Sequence, residues 1–323
     1  VEFPDRTVNC QIWKAAVGRI SLYLLDSNVL ENQPTDQGIT DTLYGGDEEM
    51  RIRQEMILGI GGMRALRAVG IEPTVCHMNE GHAAFLSVER IRQFMREHNC
   101  DYRTARQVVV GANVFTTHTP VPAGFDLFPP SLLERYMGHN IAETGLSFGD
   151  FVKLGRLDPN NQGEAFNMAL LAMDSANHVN GVSKLHAAVT RDMFSSRWPS
   201  HPQDEIPVRA GTNGVHTMSW VSRRMADVFD ANLGHAWRRN PEDPEVWAGV
   251  ADIPDEDLWT AIENQRGDLI RHIRKRLQSD LERRTTRGLD FGTINSILDP
   301  RVLTIGFARR FATYKRANLI LKD

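Results

Sequence analysis

The chain has 323 residues, of which 41% are hydrophobic and 24% are charged, and this composition excludes an intrinsically disordered protein. Its 37 Lys and Arg against 41 Asp and Glu give a formal net charge of −4, so no excess of positive charge is available for a nucleic-acid backbone. Three cysteines without paired spacing exclude a disulfide framework, and no apolar run approaches the ~18 residues of a membrane span. We therefore predict a cytoplasmic protein of one large or two domains, with no nucleic-acid or membrane partner.

The first predicted elements are strand material at residues 17–25 and a helix at residues 50–67 with an apolar stripe. Gly59, Gly61 and Gly62 lie inside this helix. Because each glycine costs about 1 kcal/mol against alanine in a helix, we expect them to mark close backbone packing. No Gly-Lys-Ser/Thr follows and no strand precedes, which argues against a nucleotide-binding loop.

Five strand–loop–helix units follow, and each has a polar loop after its strand. The alternation predicts an α/β fold with a mostly parallel sheet and helices on both faces. Because ligands of such sheets lie beyond the carboxyl ends of the strands, the five loops together predict one polar site. The predicted strands lie at residues 72–78, 107–115, near 179, 206–209 and 301–307.

A long helix is predicted at residues 255–287, and its basic cluster at 271–276 is balanced by nearby acidic residues. The chain ends with the start of a helix after the last strand, and the partner strand that a parallel crossover needs does not follow. We therefore expect this sequence to be an internal piece of a longer protein.

Three residues of the first loop region, His77, Glu80 and His82, could bind a metal, hydrogen-bond a sugar or substrate, or serve only as structural caps. The His-Glu-x-x-His pattern is absent, and residues three apart on a strand face opposite ways. We therefore predict no metal and favour hydrogen bonding to a sugar. Asn79 with Gly81 also fits a simple turn into a helix.

The other loops carry further candidates, each of which could be a site residue or only a structural one. His118 lies among three threonines at a strand end, where a lone histidine is more often structural. Asn180 and Asn213 each precede a glycine and are typical turn residues. Their place at equivalent strand ends favours a shared role.

The last loop carries Arg309, Arg310, Lys315 and Arg316 within eight residues, with no acidic residue among them. These cations repel one another, and a bound phosphate or other anion would relieve the repulsion. A solvated surface is the alternative. Arginine suits bidentate phosphate contacts, and lysine suits a point-charge contact.

Taken in order, these loops resemble those of the α-glucan phosphorylases, the glycogen, starch and maltodextrin phosphorylases, and are most similar to the shorter bacterial branch. No single motif decides the resemblance, but six in one order make coincidence implausible. The motifs are LYGGD at 43–47 with RIRQE at 51–55, NEGH at 79–82, TTHT at 116–119, VNGVSKLH at 179–186, TNGVH at 212–216 running to Trp220, and RRFATYKR at 309–316.

The resemblance implies a two-lobed, Rossmann-like architecture of the GT-B type, present only in part. Residues 1–212 would be the later part of the first lobe, and residues 213–323 the helical opening and first strand of the second. The implied reaction is reversible phosphorolysis: orthophosphate attacks the terminal α-1,4-linked glucose of a glucan and gives glucose 1-phosphate with retained configuration. A homo-oligomer of the full-length protein is compatible with the resemblance.

The resemblance also assigns residues to the sugar. His118 would hold the glucose 6-hydroxyl, while its backbone carbonyl faces the anomeric carbon and stabilises the oxocarbenium character that develops there. Asn213 would also grip the glucose, and His82 and Thr119 would contact substrate. Asp47 matches an acidic loop that borders the cleft. A carboxylate pair of the glycosidase type is not required.

The implied cofactor is pyridoxal 5′-phosphate, whose phosphate group takes part in the reaction. Arg309, Arg310 and Lys315 match the loop that holds the two phosphates, and Arg310 and Lys315 also count as catalytic. The Schiff-base lysine is expected outside this chain, so the chain alone should be inactive. Two departures from the family pattern are Thr117, where many relatives have asparagine, and Arg309, where lysine is frequent.

Two rival functions remain at this stage. Retaining glucan synthases that use nucleotide sugars share the two-lobed architecture, but the TTHT and YKR motifs favour a phosphorylase. A non-catalytic glucan-binding relative would keep the fold, yet binding glucan alone needs no phosphate site.

Overall fold

A computed structural model describes residues 1–43, 45–283, 291–309 and 315–322. The chain divides into two compact units, Val1–Asn213 and Gly214–Asp323. The first unit contains a parallel sheet, and the second is helical in its described part.

The strands of the first unit form one parallel sheet and three antiparallel pairs. The strands are β1 (Glu2–Phe3), β2 (Arg6–Thr7), β3 (Gln11–Val17), β4 (Ile20–Asp26), β5 (Cys76–Asn79), β6 (Asn113–Thr117), β7 (Leu127–Phe128), β8 (Phe166–Asn167), β9 (His178–Gly181) and β10 (Arg209–Ala210). β1 pairs with β2, β3 with β4, and β7 with β8, in each case antiparallel.

Helices connect these strands. A π-helical segment, Ile57–Gly61, joins the helices Glu48–Met56 and Gly62–Ala68 into one continuous element. A 3₁₀ turn, Gly81–Ala83, follows β5. The helices are α1 (Pro34–Gln37), α2 (Glu48–Met56), α3 (Gly62–Ala68), α4 (Phe85–His98), α5 (Tyr102–Gly111), α6 (Pro130–Ala142), α7 (Phe148–Leu154), α8 (Met168–Asp174) and α9 (Lys184–Met193).

The parallel sheet has the strand order β10-β9-β6-β5, and every neighbouring pair is parallel. Asn79 of β5 pairs with Thr116 of β6, which pairs with Asn180 of β9. Gly181 of β9 pairs with Ala210 of β10. The predicted α/β class with a parallel sheet is therefore confirmed, and the carboxyl ends of the four strands share one edge.

The core of the first unit is built around α8, whose residues from Met168 to Met173 are all buried. This continuous apolar run packs with Phe115 of β6 and Phe85 of α4, which are both fully buried. An element that is apolar on all sides is stable only inside a core. This packing places α8 beneath the turn that follows β5, where a Cβ on Gly81 would lie 2.8 Å from the Ala169 nitrogen.

The predicted strand at residues 107–115 is wrong in its first half, because α5 extends to Gly111 and β6 begins at Asn113. Asp101 caps α5 by accepting a hydrogen bond from the Thr104 amide at 2.8 Å. Ala105 and Val109, four residues apart, are buried on one helical face against α4. Capping and burial outweigh the strand preference of the three consecutive valines.

The predicted close packing at the glycine-rich helix is confirmed against backbone at Gly59, and at Gly61 a Cβ would lie 3.1 Å from a side-chain atom, Val1 Cγ2. Gly59 lies in the π-helical segment, and a Cβ there would lie 2.7 Å from the Leu86 nitrogen and 2.9 Å from the Phe85 carbonyl carbon. At Gly62, in contrast, a Cβ would have no neighbour within 4 Å. The backbone of α4 therefore approaches the segment at Gly59 and not at Gly62.

The second unit is formed by helices, of which α11 (Arg223–Leu233) packs against α13 (Asp255–Arg283). Its largest buried side chain is Trp237, whose ring lies 5.4 Å from that of Phe229 and 5.9 Å from that of Trp247. A 3₁₀ helix, Pro244–Asp252, precedes the longest helix. The α-helices are α10 (Thr217–Trp220), α11 (Arg223–Leu233), α12 (Ala236–Arg239), α13 (Asp255–Arg283) and α14 (Phe291–Ser296).

The predicted strand at residues 301–307 is wrong, because these described residues adopt no regular structure. Leu303 is 80% exposed, and a strand forms only when a neighbouring strand supplies hydrogen bonds. The predicted helix after it is a 3₁₀ helix, Ala317–Leu321. Within the described ranges, no helix combines the length and apolar character that crossing a membrane requires.

Candidate active site

The polar loops after β5, β6, β9 and β10 lie at one edge of the sheet, as the sequence predicts for four of its five units. Backbone hydrogen bonds join neighbouring loops. The amide of Glu80 donates to the Thr116 carbonyl at 2.9 Å, and that of Asn213 donates to the Val182 carbonyl at 3.2 Å. The loop after β5 is therefore tied to strand β6, and the loop after β10 to the loop after β9.

His118 is exposed at this edge, and its ring is fixed by the last residue of the neighbouring strand β5. Its Nε2 lies 2.8 Å from Asn79 Oδ1. An amide oxygen only accepts hydrogen bonds, so His118 Nε2 carries a proton, and in the neutral ring Nδ1 keeps a lone pair. A hydroxyl group that approaches Nδ1 can therefore donate a hydrogen bond to it.

Glu80 holds the loop that carries His118. Its Oε1 accepts hydrogen bonds from Thr117 Oγ1 at 3.3 Å and Thr119 Oγ1 at 3.2 Å, and also from the backbone amide of His118. Glu80 has φ = 72°, a left-handed backbone that residues other than glycine rarely adopt. One oxygen of the Glu80 carboxylate thus holds three successive residues of this loop.

His186 fixes the same loop from the opposite side. Its Nδ1 accepts a hydrogen bond from the Val182 amide at 3.2 Å, which makes Nε2 the protonated nitrogen. That nitrogen donates to the Thr119 carbonyl at 3.1 Å. His186 is buried in the first turn of α9, which Ser183 caps. A Cβ on Gly181 would lie 2.8 Å from His186 Nδ1, so glycine is needed there for this approach.

A second hydrogen-bonded row crosses the sheet just before these loops. Thr116 Oγ1 donates to Asn180 Oδ1 at 2.9 Å and lies 2.7 Å from His77 Nε2. Asn180 Nδ2 also donates to the Gly181 carbonyl at 3.3 Å. The Asn180 side chain therefore stabilises the sheet edge. Asn213 is joined to this region through its backbone amide, which donates to the Val182 carbonyl, and the shared role of the two asparagines stays a prediction.

His82 lies in the 3₁₀ turn after β5 and is half-buried. Burial lowers the pKa of His82, which favours its neutral form. Its side chain borders a cavity of about 340 Å³ together with Arg51 and Glu55. Arg51 pairs with Glu55 at 3.0 Å and with Asp126 at 2.9 Å.

Glu55 itself is 1% exposed, and burial raises the pKa of its carboxyl well above the usual range, with a further contribution from the Asp126 carboxylate.

The remaining residues predicted to bind substrate, Asp47 and Asn213, are both exposed. Asp47 is the N-cap of α2, because its Oδ1 accepts a hydrogen bond from the Met50 amide at 2.9 Å. Asn213 is held by its backbone and leaves its side chain in solvent. The structure thus gives Asp47 a capping role, and the substrate roles of both residues stay predictions.

The predicted phosphate loop is described only in part. Arg309 is exposed, and its Nη1 donates to the Ala308 carbonyl at 3.1 Å. Lys315 is half-buried, and Arg310 lies outside the described residues. Among the described residues, no three His, Cys, Asp or Glu side chains are grouped so that they could hold a metal ion.

The model of the carbohydrate phosphorylase family matches residues 28–319. The chain belongs to this family. The resemblance drawn from the six motifs is thereby confirmed, and the edge that carries His118 is the candidate active site of a carbohydrate phosphorylase.

Individual relatives agree with the family. The chain is 44% identical to a maltodextrin phosphorylase of Thermococcus litoralis, with 100% of this chain and 37% of the relative covered. It is 42% identical to a glycogen phosphorylase of Mycobacterium tuberculosis (99% and 38% covered) and 31% identical to one of Aquifex aeolicus (99% and 45% covered). The chain therefore spans less than half the length of these relatives.

Sequence reasoning on this phosphorylase chain did not assign the supports of His118. The sequence pattern predicts a turn at Asn79 and a metal, substrate or capping role for Glu80, and it includes His186 only as part of a motif. A signal for His186 exists in the sequence, since Ser183 is a typical N-cap and His186 follows three residues later in the first helical turn. Its contact with Thr119 is 67 positions away and leaves no local pattern.

Proposed function

We propose that the complete protein that contains this chain is an α-glucan phosphorylase. It would catalyse reversible phosphorolysis of the terminal α-1,4-linked glucose of a glucan and release glucose 1-phosphate with retained configuration. The observation that carries the proposal is the fixed His118 ring, whose Nε2 is bound to Asn79 and whose Nδ1 is the nitrogen that can accept a hydrogen bond from a hydroxyl group. Relatives named maltodextrin and glycogen phosphorylase at 42–44% identity support it.

His118 recognises the sugar in this proposal. Its Nδ1 accepts a hydrogen bond from the glucose 6-hydroxyl, and its backbone carbonyl faces the anomeric carbon. A carbonyl dipole held near that carbon stabilises the positive charge that develops as the glycosidic bond breaks. Asn213, His82 and Thr119 add contacts to the sugar, and Asp47 borders the entrance.

Phosphate is bound by the cationic loop. Phosphorylases act on glucan and phosphate, and the family generally depends on pyridoxal 5′-phosphate. When bound, this cofactor would supply a second phosphate group beside the substrate phosphate. Arg309, Arg310 and Lys315 fit two such groups, because the segment from 309 to 316 has no acidic residue to neutralise its cations.

The described part of the loop supports this fit. The Arg309 guanidinium has five N–H donors, and the bond to Ala308 uses one of them. Arg310 and Lys315 would stabilise the charge on the substrate phosphate, which acts as the acid to the leaving oxygen. A cytoplasmic location and a homo-oligomer stay predictions for the complete protein.

The test is an assay of the complete gene product, expressed with pyridoxal 5′-phosphate. Maltoheptaose is incubated with orthophosphate in one reaction and with a nucleotide-diphosphate glucose in another. Phosphate-dependent release of glucose 1-phosphate supports the proposal. Elongation from the nucleotide sugar would instead favour a glucan synthase, and glucan binding without either reaction would favour a non-catalytic relative.

A further inference from the structure

One carboxylate oxygen organises the loop that carries His118. Glu80 Oε1 receives donors from three successive residues, Thr117, His118 and Thr119. Three hydrogen bonds to an ionised carboxylate are stronger than bonds to a neutral acceptor. Glu80 adopts φ = 72° to place its side chain there, a backbone conformation that a residue with a Cβ rarely adopts. Such strain persists where surrounding contacts fix the residue.

The bonds continue into the peptide group between His118 and Thr119. The Thr119 amide donates to Thr117 Oγ1 at 3.3 Å, and the same hydroxyl donates to Glu80 Oε1. Hydrogen bonds in a chain polarise one another, and this chain ends on an anion. An amide whose N–H is polarised in this way carries more negative charge on its carbonyl oxygen, which here is the carbonyl of His118.

We propose that Glu80 is a positioning residue for phosphorolysis, which fixes the 117–119 loop and strengthens the dipole of the His118 carbonyl. The inference rests on the proposed function, in which that carbonyl faces the anomeric carbon. Glu80 does not contact the substrate in this account. Its effect is transmitted through Thr117, so it should appear in kcat rather than in the KM for phosphate.

The activity test compares three variants of the complete protein. Glu80→Gln keeps an oxygen acceptor without the charge, and we expect kcat to fall about 10-fold. Glu80→Ala and Glu80→Gly remove the acceptor, and we expect kcat to fall about 100-fold in both, with the KM for phosphate changed less than about 2-fold. Glycine tolerates φ = 72° and alanine does not, so the glycine variant should be the more stable of the two.

The alanine and glycine variants separate positioning from general stability. If Glu80 only stabilised the fold, activity would follow stability, and Glu80→Gly would be clearly more active than Glu80→Ala. That result would overturn the proposal, as would a kcat within about 2-fold of the unaltered protein in Glu80→Ala. Equal loss of kcat at unequal stability supports it.

Hydrogen exchange gives a second readout that does not depend on turnover. In Glu80→Ala the amides of His118 and Thr119 should exchange faster, because both are held by the Glu80 network. Asp101→Ala is the matched control, since Asp101 also accepts one backbone amide, that of Thr104 in α5. It should speed exchange at α5 and leave the loop and kcat unchanged.

The two readouts distinguish failure of this inference from failure of the proposed function. If the unaltered holoenzyme forms no glucose 1-phosphate, the proposed function is wrong, and so is the role of Glu80 in phosphorolysis. Unchanged exchange at His118 in an active Glu80→Ala protein would overturn the role of Glu80 alone.

Discussion

His186 donates a hydrogen bond from Nε2 to the backbone carbonyl of Thr119 across 3.1 Å, and so joins α9 to the loop after β6. Its other ring nitrogen accepts from the Val182 amide. Together with Glu80 and Asn79, this residue holds the segment around His118 from both sides. The ends of β5, β6 and β9 therefore form one braced structure, which presents a histidine with a defined tautomer.

Replacement of His186 by phenylalanine should destabilise the protein. The ring shape is kept, but the Thr119 carbonyl and the Val182 amide lose their partner, and we expect the free energy of unfolding to fall by about 2 kcal/mol. Urea unfolding measures the change. His139→Phe is the control, because His139 is exposed on α6 and should change stability by less than about 0.5 kcal/mol. Equal effects of the two variants would contradict the bracing role.

Two glycines in one helical element should respond to alanine with opposite sign. At Gly59 the new Cβ would meet the backbone of α4 at 2.7 Å, so we expect Gly59→Ala to lower the free energy of unfolding by about 1–3 kcal/mol. At Gly62 the Cβ enters open space, and we expect a gain of up to about 1 kcal/mol from helix propensity. Thermal unfolding of both variants tests this. Stabilisation by Gly59→Ala would show that the close approach is wrong.

Glu55 should make the protein less stable as pH rises. The pKa of its carboxyl is raised in the folded state, so between the ordinary value of 4.5 and the raised value the folded protein keeps a proton that the unfolded chain has lost. The free energy of unfolding therefore falls through this window. Glu55→Gln keeps an oxygen for Arg51 and removes the titration.

We expect Glu55→Gln to be more stable than the unaltered protein at pH 8 and equal to it near pH 4. Unfolding by urea at a series of pH values measures the difference. A gap between the two proteins that stays constant with pH, or widens as pH falls, would contradict a raised pKa of Glu55 in the folded state.

Much of the candidate site could be predicted from the sequence, because parallel strands bring their carboxyl ends to one edge whatever their connections. The polar loops at 79–82, 116–119 and 211–213 lie there as expected. The side-chain partners could not be predicted. Glu80 and Thr119 lie 39 positions apart, and their contact depends on the register of β5 against β6.

Two errors in the predicted fold have the same physical origin. The valines before Gly111 have a strand preference, yet the burial of α5 against α4 decides their conformation. Residues 301–307 have a similar preference, but no described strand pairs with them. In both cases tertiary contacts, which local pattern does not contain, decide between helix, strand and irregular backbone.

The most direct test of the central claim is phosphorus-31 NMR of the complete protein with pyridoxal 5′-phosphate, maltoheptaose and orthophosphate. The account predicts a signal of α-glucose 1-phosphate that grows only when both glucan and phosphate are present. It also predicts a rate about 100-fold lower in His118→Ala, which loses the ring that accepts the sugar hydroxyl. A folded, cofactor-loaded protein that forms no sugar phosphate, or an unchanged rate in His118→Ala, would contradict the account.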